Sequence, residues 1–216
     1  MRTMKITRFG HSAVLVESGQ TRVLVDPGVF SVPDLWDLTG LAAIVVTHQH
    51  PDHLDLARVG DLIAANPGVQ LLAEPQTATN LADWTPTSVD ARYSIGELTL
   101  TGVGGQHAEI LDTIPRVGNI GMLVSDPAGT TFFHPGDSYE YRPAGVDILA
   151  IPLAAPWAKM AETIDFVRAI SPHTAFPIHD GVLADSGYGI YWMHVQNHGG
   201  VADLQQLGQS APLVLG

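Results

Sequence analysis

The spacing of apolar residues along the first half of the chain predicts a series of short strands. Short runs that are rich in β-branched side chains, or that alternate between apolar and polar positions, are typical of strands. Such runs cover residues 4–8, 13–17, 22–25, 41–46 and 69–73. A helix is predicted over 55–65, because Val59, Leu62 and Ile63 recur at helical spacing. A second, shorter helix is predicted over 76–83.

The second half of the chain repeats this order of elements. Strands are predicted over 97–103, 121–125, 130–133, 147–152 and 174–178. A helix is predicted over 161–170 and another over 201–207, whereas the aromatic-rich tail that begins at Ala184 has no clear pattern. In each half the strands precede the helices instead of alternating strictly with them. This order indicates an α+β chain in which two sheets pack between helices.

Composition narrows the class of protein and its partners. The chain has 216 residues and is 45% hydrophobic, which is enough for one sizeable core. No low-complexity tract interrupts it, so we expect a single domain over residues 1–216. Lys and Arg total 10 against 22 Asp and Glu, a formal net charge of −12. Nucleic acid is therefore not an expected partner, because phosphate binding depends on clustered cations.

The absence of certain residues and segments excludes further classes. The sequence has no cysteine, and therefore no disulfide framework, thiolate ligand or cysteine nucleophile. No apolar stretch is long enough to span a bilayer, and the N-terminus lacks the apolar core of a signal peptide. We therefore expect a cytoplasmic protein without a membrane partner that acts on a small-molecule substrate. The sequence leaves homo-oligomer formation open.

Candidate chemistry begins directly after the apolar run 41–46. Three imidazoles and a carboxylate follow within a few residues, at His48, His50, Asp52 and His53. Neutral imidazole and carboxylate are preferred ligands of zinc and similar divalent ions. Other lone polar residues also follow predicted strands, namely Asp26, His107, Asp137 and His179. If these strands run side by side in one direction, their ends line one edge of the sheets and form a metal site there.

This ordered set of residues resembles the metallo-β-lactamase superfamily. The signature of that family is an early strand-end Asp, a His-x-His-x-Asp-His block, and then single His, Asp and His residues. Gly10-His11-Ser12 and the later segment 134–138 resemble the branch of small metal-dependent hydrolases that includes the ascorbate phosphate lactonases. The resemblance implies a four-layer αββα sandwich, with two mixed sheets between helices and a two-metal site at one edge.

The resemblance also implies how the ligands divide between two ions. One ion is expected on His48, His50 and His107. The other is expected on Asp52, His53 and His179, with Asp137 bridging the two. Zinc is the first expectation, and manganese and iron suit the same ligand set.

Two carboxylates are expected to be catalytic, Asp52 and Asp137. Two divalent ions about 3.5–4 Å apart can share a hydroxide, formed from water whose pKa falls to about 7, that attacks an acyl or phosphoryl centre. Asp52 is expected to orient this nucleophile or to relay its proton. Asp26 is expected to support the ligands by fixing a histidine tautomer.

Several other residues allow two interpretations each. His11 either lies near the site or is a turn histidine bonded to the backbone. His134 is expected to be a hydrogen-bonded histidine under the sheet edge and not a ligand. His194 and His198 have the spacing of a helical metal pair, yet a pocket wall or plain packing is favoured. Tyr139 and Arg142 either contact the substrate or lie in an exposed loop. Trp157 either covers the pocket or packs in the core.

These features favour a metal-dependent hydrolase that acts on a small-molecule ester, lactone or phosphodiester. A lactone or carboxylic ester is preferred, because the chain is acidic and has no basic arm. One alternative is a two-iron redox protein on the same fold, although such family members usually have Glu at the position of His50. A non-catalytic metal-binding module is the other alternative.

Overall fold

Two mixed β-sheets with helices on their outer faces make up the part of the chain that the computed structural model describes, residues 4–207 and 212–214. Strands β1 to β14, in chain order, are Lys5–Arg8, Val14–Ser18, Thr21–Val25, Ala43–Val46, Gln70–Ala73, Thr85–Pro86, Arg92–Ile95, Leu98–Gln106, Gly118–Ser125, Thr131–His134, Ile148–Pro152, Thr174–Ile178, Asp203–Leu204 and Pro212–Val214. Helices α1 to α4 are Val59–Ala64, Pro75–Thr79, Met160–Ile170 and Asp185–His198. A 3-10 helix covers Pro33–Asp37.

Within the described residues each sheet has seven strands. The first sheet has the order β14-β1-β2-β3-β4-β5-β6, and the second has the order β13-β12-β11-β10-β9-β8-β7. Strands β3 to β6 are parallel to one another, as are β10 to β13, whereas the remaining pairings are antiparallel.

Alternating side chains on the strands produce three hydrophobic layers. On β3, Val23 and Val25 face the core between the two sheets, while Leu24 faces α1 and α2 on the outer side. On β11, Ile148 faces the same central core, while Leu149 packs with α3 and α4. Because successive side chains of a strand point to opposite faces, one strand supplies two layers. The expected α+β chain with a four-layer αββα arrangement is confirmed.

The direction of the strands brings their carboxyl ends to a shared edge. Strands β1, β3 and β4 point the same way in the first sheet, and β8, β10 and β12 do so in the second. The residues singled out as candidate ligands follow these strands. The topology therefore confirms that polar residues far apart in sequence meet at one edge.

The C-terminal third departs from the predicted elements. The helix predicted over 201–207 is wrong, since Asp203–Leu204 instead forms β13 and pairs with β12. Gly200 adopts a left-handed conformation with φ of 75°, which ends the preceding helical segment. The unassigned tail forms α4. The helix predicted over 55–65 is shortened to α1, because the Asp55 side chain accepts the Ala57 N–H in a turn.

Candidate metal centre

All seven predicted ligands come together at the shared sheet edge, in two groups with converging ligand atoms. The first group is His48, His50, His107 and Asp137. The second is His11, Asp52, His53 and His179. Within each group one ligand atom from every residue lies within 4.8 Å of the others. The second group includes His11, for which the sequence left two interpretations open.

Asp137 lies between the two groups and contacts both. Its Oδ2 is 3.3 Å from Nε2 of His107 and 3.1 Å from Nε2 of His179. Its Oδ1 is 3.1 Å from Nε2 of His53. Oδ2 therefore lies between the two groups and Oδ1 faces the second, so the carboxylate is placed to serve both groups.

Backbone carbonyls fix the orientation of two histidines. Nδ1 of His107 lies 2.6 Å from the carbonyl oxygen of Ala108, and Nδ1 of His179 lies 2.7 Å from that of Ala154. A carbonyl oxygen only accepts hydrogen bonds, so each Nδ1 must carry the proton. The neutral ring then has a bare lone pair on Nε2, which points at Asp137. Metal-binding histidines are generally oriented in this way.

Asp26 orients two further histidines. Its Oδ2 accepts Nδ1–H of His53 at 2.7 Å and the hydroxyl of Thr47 at 2.7 Å. Because the Thr47 proton is used in this way, its oxygen accepts Nδ1–H of His48 at 3.1 Å. In their neutral forms both rings therefore turn an unprotonated Nε2 towards the site. Asp26 fixes one tautomer directly and one through Thr47, in agreement with the supporting role expected for it.

The donor set fits bound divalent cations on two counts. Buried Nε2 atoms of His107 and His179 and Oδ1 of Asp137 have no hydrogen-bond partner within the described part of the chain. Buried polar atoms without partners are rare, which indicates that these atoms serve a ligand. The contacts of 3.1–3.3 Å around Asp137 are close to the ligand separations of roughly 3.4 Å that tetrahedral bonds of about 2.1 Å produce.

Comparison with known proteins identifies the family of this chain. The family model described as beta-lactamase superfamily domain matches residues 5–179. The chain belongs to the metallo-β-lactamase superfamily. Protein Rv0786c from Mycobacterium tuberculosis is 46% identical over 191 residues, which cover 88% of this chain and 90% of that protein. A UPF0173 metal-dependent hydrolase from Carboxydothermus hydrogenoformans is 29% identical over 192 residues, which cover 82% of this chain and 84% of that protein.

Solved structures share the metallo-β-lactamase fold. The metallo-β-lactamase fold protein YhfI from Bacillus subtilis superposes with a TM-score of 0.78 at 16% identity, and the alignment covers 100% of both chains. CmlA, a diiron β-hydroxylase from Streptomyces venezuelae, has a TM-score of 0.70 at 15% identity, covering 100% of this chain and 55% of that chain. These two matches are evidence of a shared fold.

The electrostatics of this superfamily member favour a cation between its carboxylates. Burial alone raises the pKa of Asp137, but the charges of His179 and His53 bring it well below its ordinary value. For His179, burial lowers the pKa, yet the Asp137 carboxylate and neighbouring acceptors raise it to about 10. Asp52 also has a lowered pKa, because the hydrogen bond from His11 and the nearby His179 outweigh burial. Both carboxylates therefore remain ionised and attract positive charge into the site.

Two residues that support Asp137 were not identified from the sequence as doing so. The indole N–H of Trp157 donates to Oδ2 of Asp137 at 3.0 Å. The side-chain oxygen of Asn119 accepts the backbone N–H of Asp137 at 2.9 Å, while its amide donates to the carbonyl of Pro135 at 2.9 Å. Neither residue has a characteristic spacing from the ligands, so only the folded chain reveals these contacts.

Arg116 supports the site through the backbone of a ligand. Its Nε–H donates to the carbonyl oxygen of His107 at 2.7 Å, and its Nη2 pairs with Glu140 at 2.7 Å. The guanidinium is thus held between a ligand loop and a carboxylate. It therefore orders the chain around His107 without entering either group of ligands.

Other candidate residues have structural roles. His134 is buried and accepts the N–H of Gly136 while donating to the carbonyl of Ser12, so the expectation that it is a hydrogen-bonded histidine is confirmed. Tyr139 is buried, and its hydroxyl donates to the carbonyl of Pro152. The interpretation of Tyr139 as an exposed loop residue is therefore wrong, because the folded chain encloses its ring in the core around α3. A substrate contact stays a prediction, since Tyr139 also lines a cleft that includes Trp157.

His194 and His198 lie away from the candidate metal centre. Their rings stack at 6.0 Å on α4, and they line a cleft with residues of α3. Neither belongs to a group of converging ligands among the described residues. Arg142 lines a different cleft with Trp157 and donates from Nε to the carbonyl of Tyr139 at 3.3 Å. These positions agree with packing or pocket-wall roles.

Open clefts adjoin both groups of ligands. A cleft of about 270 Å³ beside His50 is lined by apolar side chains that include Leu54, Leu56 and Leu81. A second, of about 350 Å³, adjoins His11 and includes Phe30 in its wall. Sites for small molecules are typically clefts of a few hundred Å³, so both clefts have a suitable size.

The helices offer no candidate for a membrane span. Within residues 4–207 and 212–214, none combines the length and the apolar composition that a crossing requires.

Proposed function

We propose that this protein is a hydrolase that uses two divalent ions to cleave a small-molecule ester, lactone or phosphodiester bond. The observation that carries the proposal is the shared orientation of four histidines around Asp137. His48, His53, His107 and His179 each donate outward from Nδ1 and turn Nε2 inward. When these rings are neutral, their Nε2 lone pairs converge around a buried carboxylate, an arrangement suited to holding cations. The relatives described as metal-dependent hydrolases support the same reaction class.

The proposed ligands divide between two positions. Position one is His48, His50 and His107. Position two is Asp52, His53 and His179. Asp137 is proposed to serve both, since its carboxylate contacts His107 of the first group and His53 and His179 of the second. Divalent ions held by these residues would supply an acidified water and polarise the bond to be cleaved. Zinc is the preferred ion for this ligand set, with manganese and iron as alternatives.

Asp52 is proposed to handle the proton of the attacking water. Its side chain is 23% exposed, whereas the side chains of Asp137 and His179 are each only 4% exposed. It is therefore the carboxylate of the centre that water and substrate reach most readily. Its Oδ2 lies 3.3 Å from Nε2 of His179 and 3.2 Å from Nε2 of His11. A general base must lie within such reach of the proton it takes.

The surroundings of the site favour a neutral carbonyl substrate. The cleft beside His50 is walled by Leu54, Leu56 and Leu81. Arg8 and Arg116 line neighbouring clefts, but each is paired with a carboxylate, Asp180 and Glu140 respectively, at 2.7 Å. Neither guanidinium is free to neutralise a phosphate. We therefore prefer a lactone or carboxylic ester over a phosphodiester, and we do not expect nucleic acid as a partner.

The proposal is tested with protein stripped by a chelator and reloaded with zinc, manganese or iron. Each preparation is assayed on matched lactones, thioesters, amides and phosphodiesters. We expect hydrolysis of at least one lactone or ester with metal and none without it. Hydrolysis that survives in metal-free protein would contradict the metal-dependent mechanism. Activity confined to phosphodiesters would contradict only the preferred substrate class.

The likeness to the diiron β-hydroxylase CmlA keeps a two-iron redox function as the alternative. The same fold can carry unrelated chemistry, so this likeness does not decide the reaction. His50 at the second position of the ligand block favours hydrolysis instead. Iron-loaded protein that consumes dioxygen and lacks activity on the hydrolase panel would support the redox function. Full metal occupancy without either activity would support a non-catalytic metal-binding module.

A further inference from the structure

His11 occupies an unusual position in the candidate metal centre. It follows β1 at the same sheet edge as the other ligands and is 2% exposed. Its backbone φ of 32° is positive, a conformation that residues other than glycine rarely adopt. Such conformations persist only where surrounding contacts enforce them, and they are common at functional sites. The contacts of His11 therefore bear on what it does.

The hydrogen bonds of His11 place its proton opposite to that of the other histidines. The backbone N–H of Gly181 donates to Nδ1 of His11 at 3.0 Å. Because Nδ1 accepts, the neutral ring carries its proton on Nε2. Nε2 lies 3.2 Å from Oδ2 of Asp52 and donates to it. The inward atom of His11 is thus a hydrogen-bond donor even in the neutral ring, whereas the inward atoms of neutral His53 and His179 carry lone pairs.

This arrangement disfavours His11 as a metal ligand. Coordination through Nε2 would require the proton to move to Nδ1. That proton would then face the N–H of Gly181 at 3.0 Å, so two donors would oppose each other. The ring would lose both of its hydrogen bonds, to Gly181 and to Asp52. Proximity alone places His11 in the second group of converging atoms.

We propose that His11 is not a metal ligand but a positioning residue that holds the Asp52 carboxylate in place for position two. The inference rests on the two-metal site proposed above. Carboxylates that bind metals are commonly held by hydrogen bonds from neighbouring residues, and these bonds set the orientation of the ligand. Here the donor is the Nε2–H of His11 and the acceptor is Oδ2 of Asp52.

The backbone of His11 extends this role to a second ligand. Its carbonyl oxygen accepts the N–H of His179 at 3.0 Å, and its ring packs against the ring of His179 at 4.1 Å between centroids. Nearby, the guanidinium of Arg8 pairs with Asp180 at 2.7 Å. The turn after β1 therefore contacts both Asp52 and the loop that carries His179. One residue fixes the relative placement of two ligands that lie far apart in sequence.

Two substitutions separate the donor and acceptor functions of His11. In His11→Gln the side-chain amide can reach Asp52 as a donor, because its N–H₂ group lies at the distance of Nε2. In His11→Asn the shorter side chain can accept the N–H of Gly181 but cannot reach Asp52. His173→Gln, at an exposed position outside both groups, controls for loss of an imidazole. Thermal unfolding of all three variants identifies any that fail to fold.

The readout is metal affinity at position two, measured by competition with a chromophoric chelator and without substrate. We expect His11→Asn to bind the second equivalent of zinc about 10- to 100-fold more weakly, as is typical of residues that orient a ligand. His11→Gln is expected to retain more affinity than His11→Asn, and His173→Gln to match the native protein. Equal loss of one full equivalent in both His11 variants would overturn the proposal, because it indicates direct coordination.

Nitrogen NMR of zinc-loaded protein with ¹⁵N-labelled histidine reads the proton position directly. We expect His11 to carry its proton on Nε2 with a bare Nδ1. A proton on Nδ1 together with a metal-shifted Nε2 would overturn the proposal. Native protein that binds two ions but hydrolyses nothing would contradict the proposed function and leave this inference standing, because both measurements are made without substrate.

Discussion

The two positions proposed for metal ions share Asp137 but differ in the protonation of their histidines. At position one, burial and neighbouring imidazoles lower the pKa of His48 and His50, so these rings are neutral. At position two, the carboxylates overcome burial and raise the pKa of His53 well above its ordinary value and that of His179 to about 10. Position one is thus ready for a cation, whereas position two must first release protons.

The carboxylates around each position therefore determine whether its histidines have raised or lowered pKa values. His53 contacts both Asp26 and Asp137, at 2.7 and 3.1 Å, and therefore retains a proton in their field. His48 has only Thr47 as its outward partner and lies 3.9 Å from Asp137. The pKa values of the histidines at the two positions therefore differ mainly because of the charges that surround them.

The largest effect is expected from Asp137→Ala, which removes the group common to both positions. Both equivalents of metal should be lost, and turnover on the best substrate should fall to background. Elemental analysis after dialysis and an initial-rate assay measure the two effects. Asp126→Ala removes another buried aspartate, one that caps the turn after β9, and should retain metal and turnover. Retention of both ions by Asp137→Ala would show that Asp137 does not bridge the positions.

The pH dependence of metal affinity should separate the two positions next. A protonated imidazole has no lone pair, so metal at position two displaces protons and its affinity rises with pH up to the pKa of His179, about 10. Each displaced proton changes apparent affinity about tenfold per pH unit. Chelator competition on His107→Ala, which retains position two, should therefore show a steeper slope than on His179→Ala, which retains position one. Equal slopes of metal affinity against pH would show that the histidines of the two positions do not differ in protonation.

A smaller effect is expected from Asp26→Asn, which weakens the orientation of His53 and, through Thr47, of His48. Loss of an outer partner of a ligand typically costs about 10- to 100-fold in metal affinity or activity. Because Asp26 contacts His53 directly, the loss should be greater at position two. Asp126→Asn is the matched control at a buried site outside the centre. An unchanged metal titration would show that Asp26 has only a structural role.

The smallest effect is expected from Trp157→Phe, which keeps an aromatic ring but removes the hydrogen bond to Oδ2 of Asp137. Metal affinity should fall by up to about tenfold, near the lower limit for residues that orient a ligand. Trp192→Phe, in the buried face of α4, should leave metal affinity unchanged. A titration measures both variants. Identical affinities for Trp157→Phe and the native protein would show that the indole N–H is dispensable.

The sequence predicted the elements that depend on local pattern. Strands such as Ala43–Val46 and Thr174–Ile178 were predicted within one or two residues, because buried strands have continuous apolar runs. Each proposed ligand follows a strand that was predicted from the sequence, so the members of the site were predictable too. The division into two positions came from family resemblance, and the geometry of the site is compatible with it.

The remaining features depend on contacts that no local pattern encodes. The outward partner of His179 is the carbonyl of Ala154, which the loop after β11 supplies. Helix α4 was missed because Gly187 and Gly189 interrupt its apolar spacing. The helix expected over 201–207 was overridden by pairing of β13 with β12. For His179 and for β13, hydrogen bonds between distant segments decided the outcome.

The most direct test of a two-metal hydrolytic centre is a metal titration of chelator-stripped native protein, with hydrolysis of the best ester or lactone followed in parallel. We expect two equivalents of zinc to bind per chain and hydrolysis to appear only as the ions are restored. Saturation at one equivalent would contradict the paired positions around Asp137. Full hydrolysis before any metal is added would contradict the metal-dependent reaction itself.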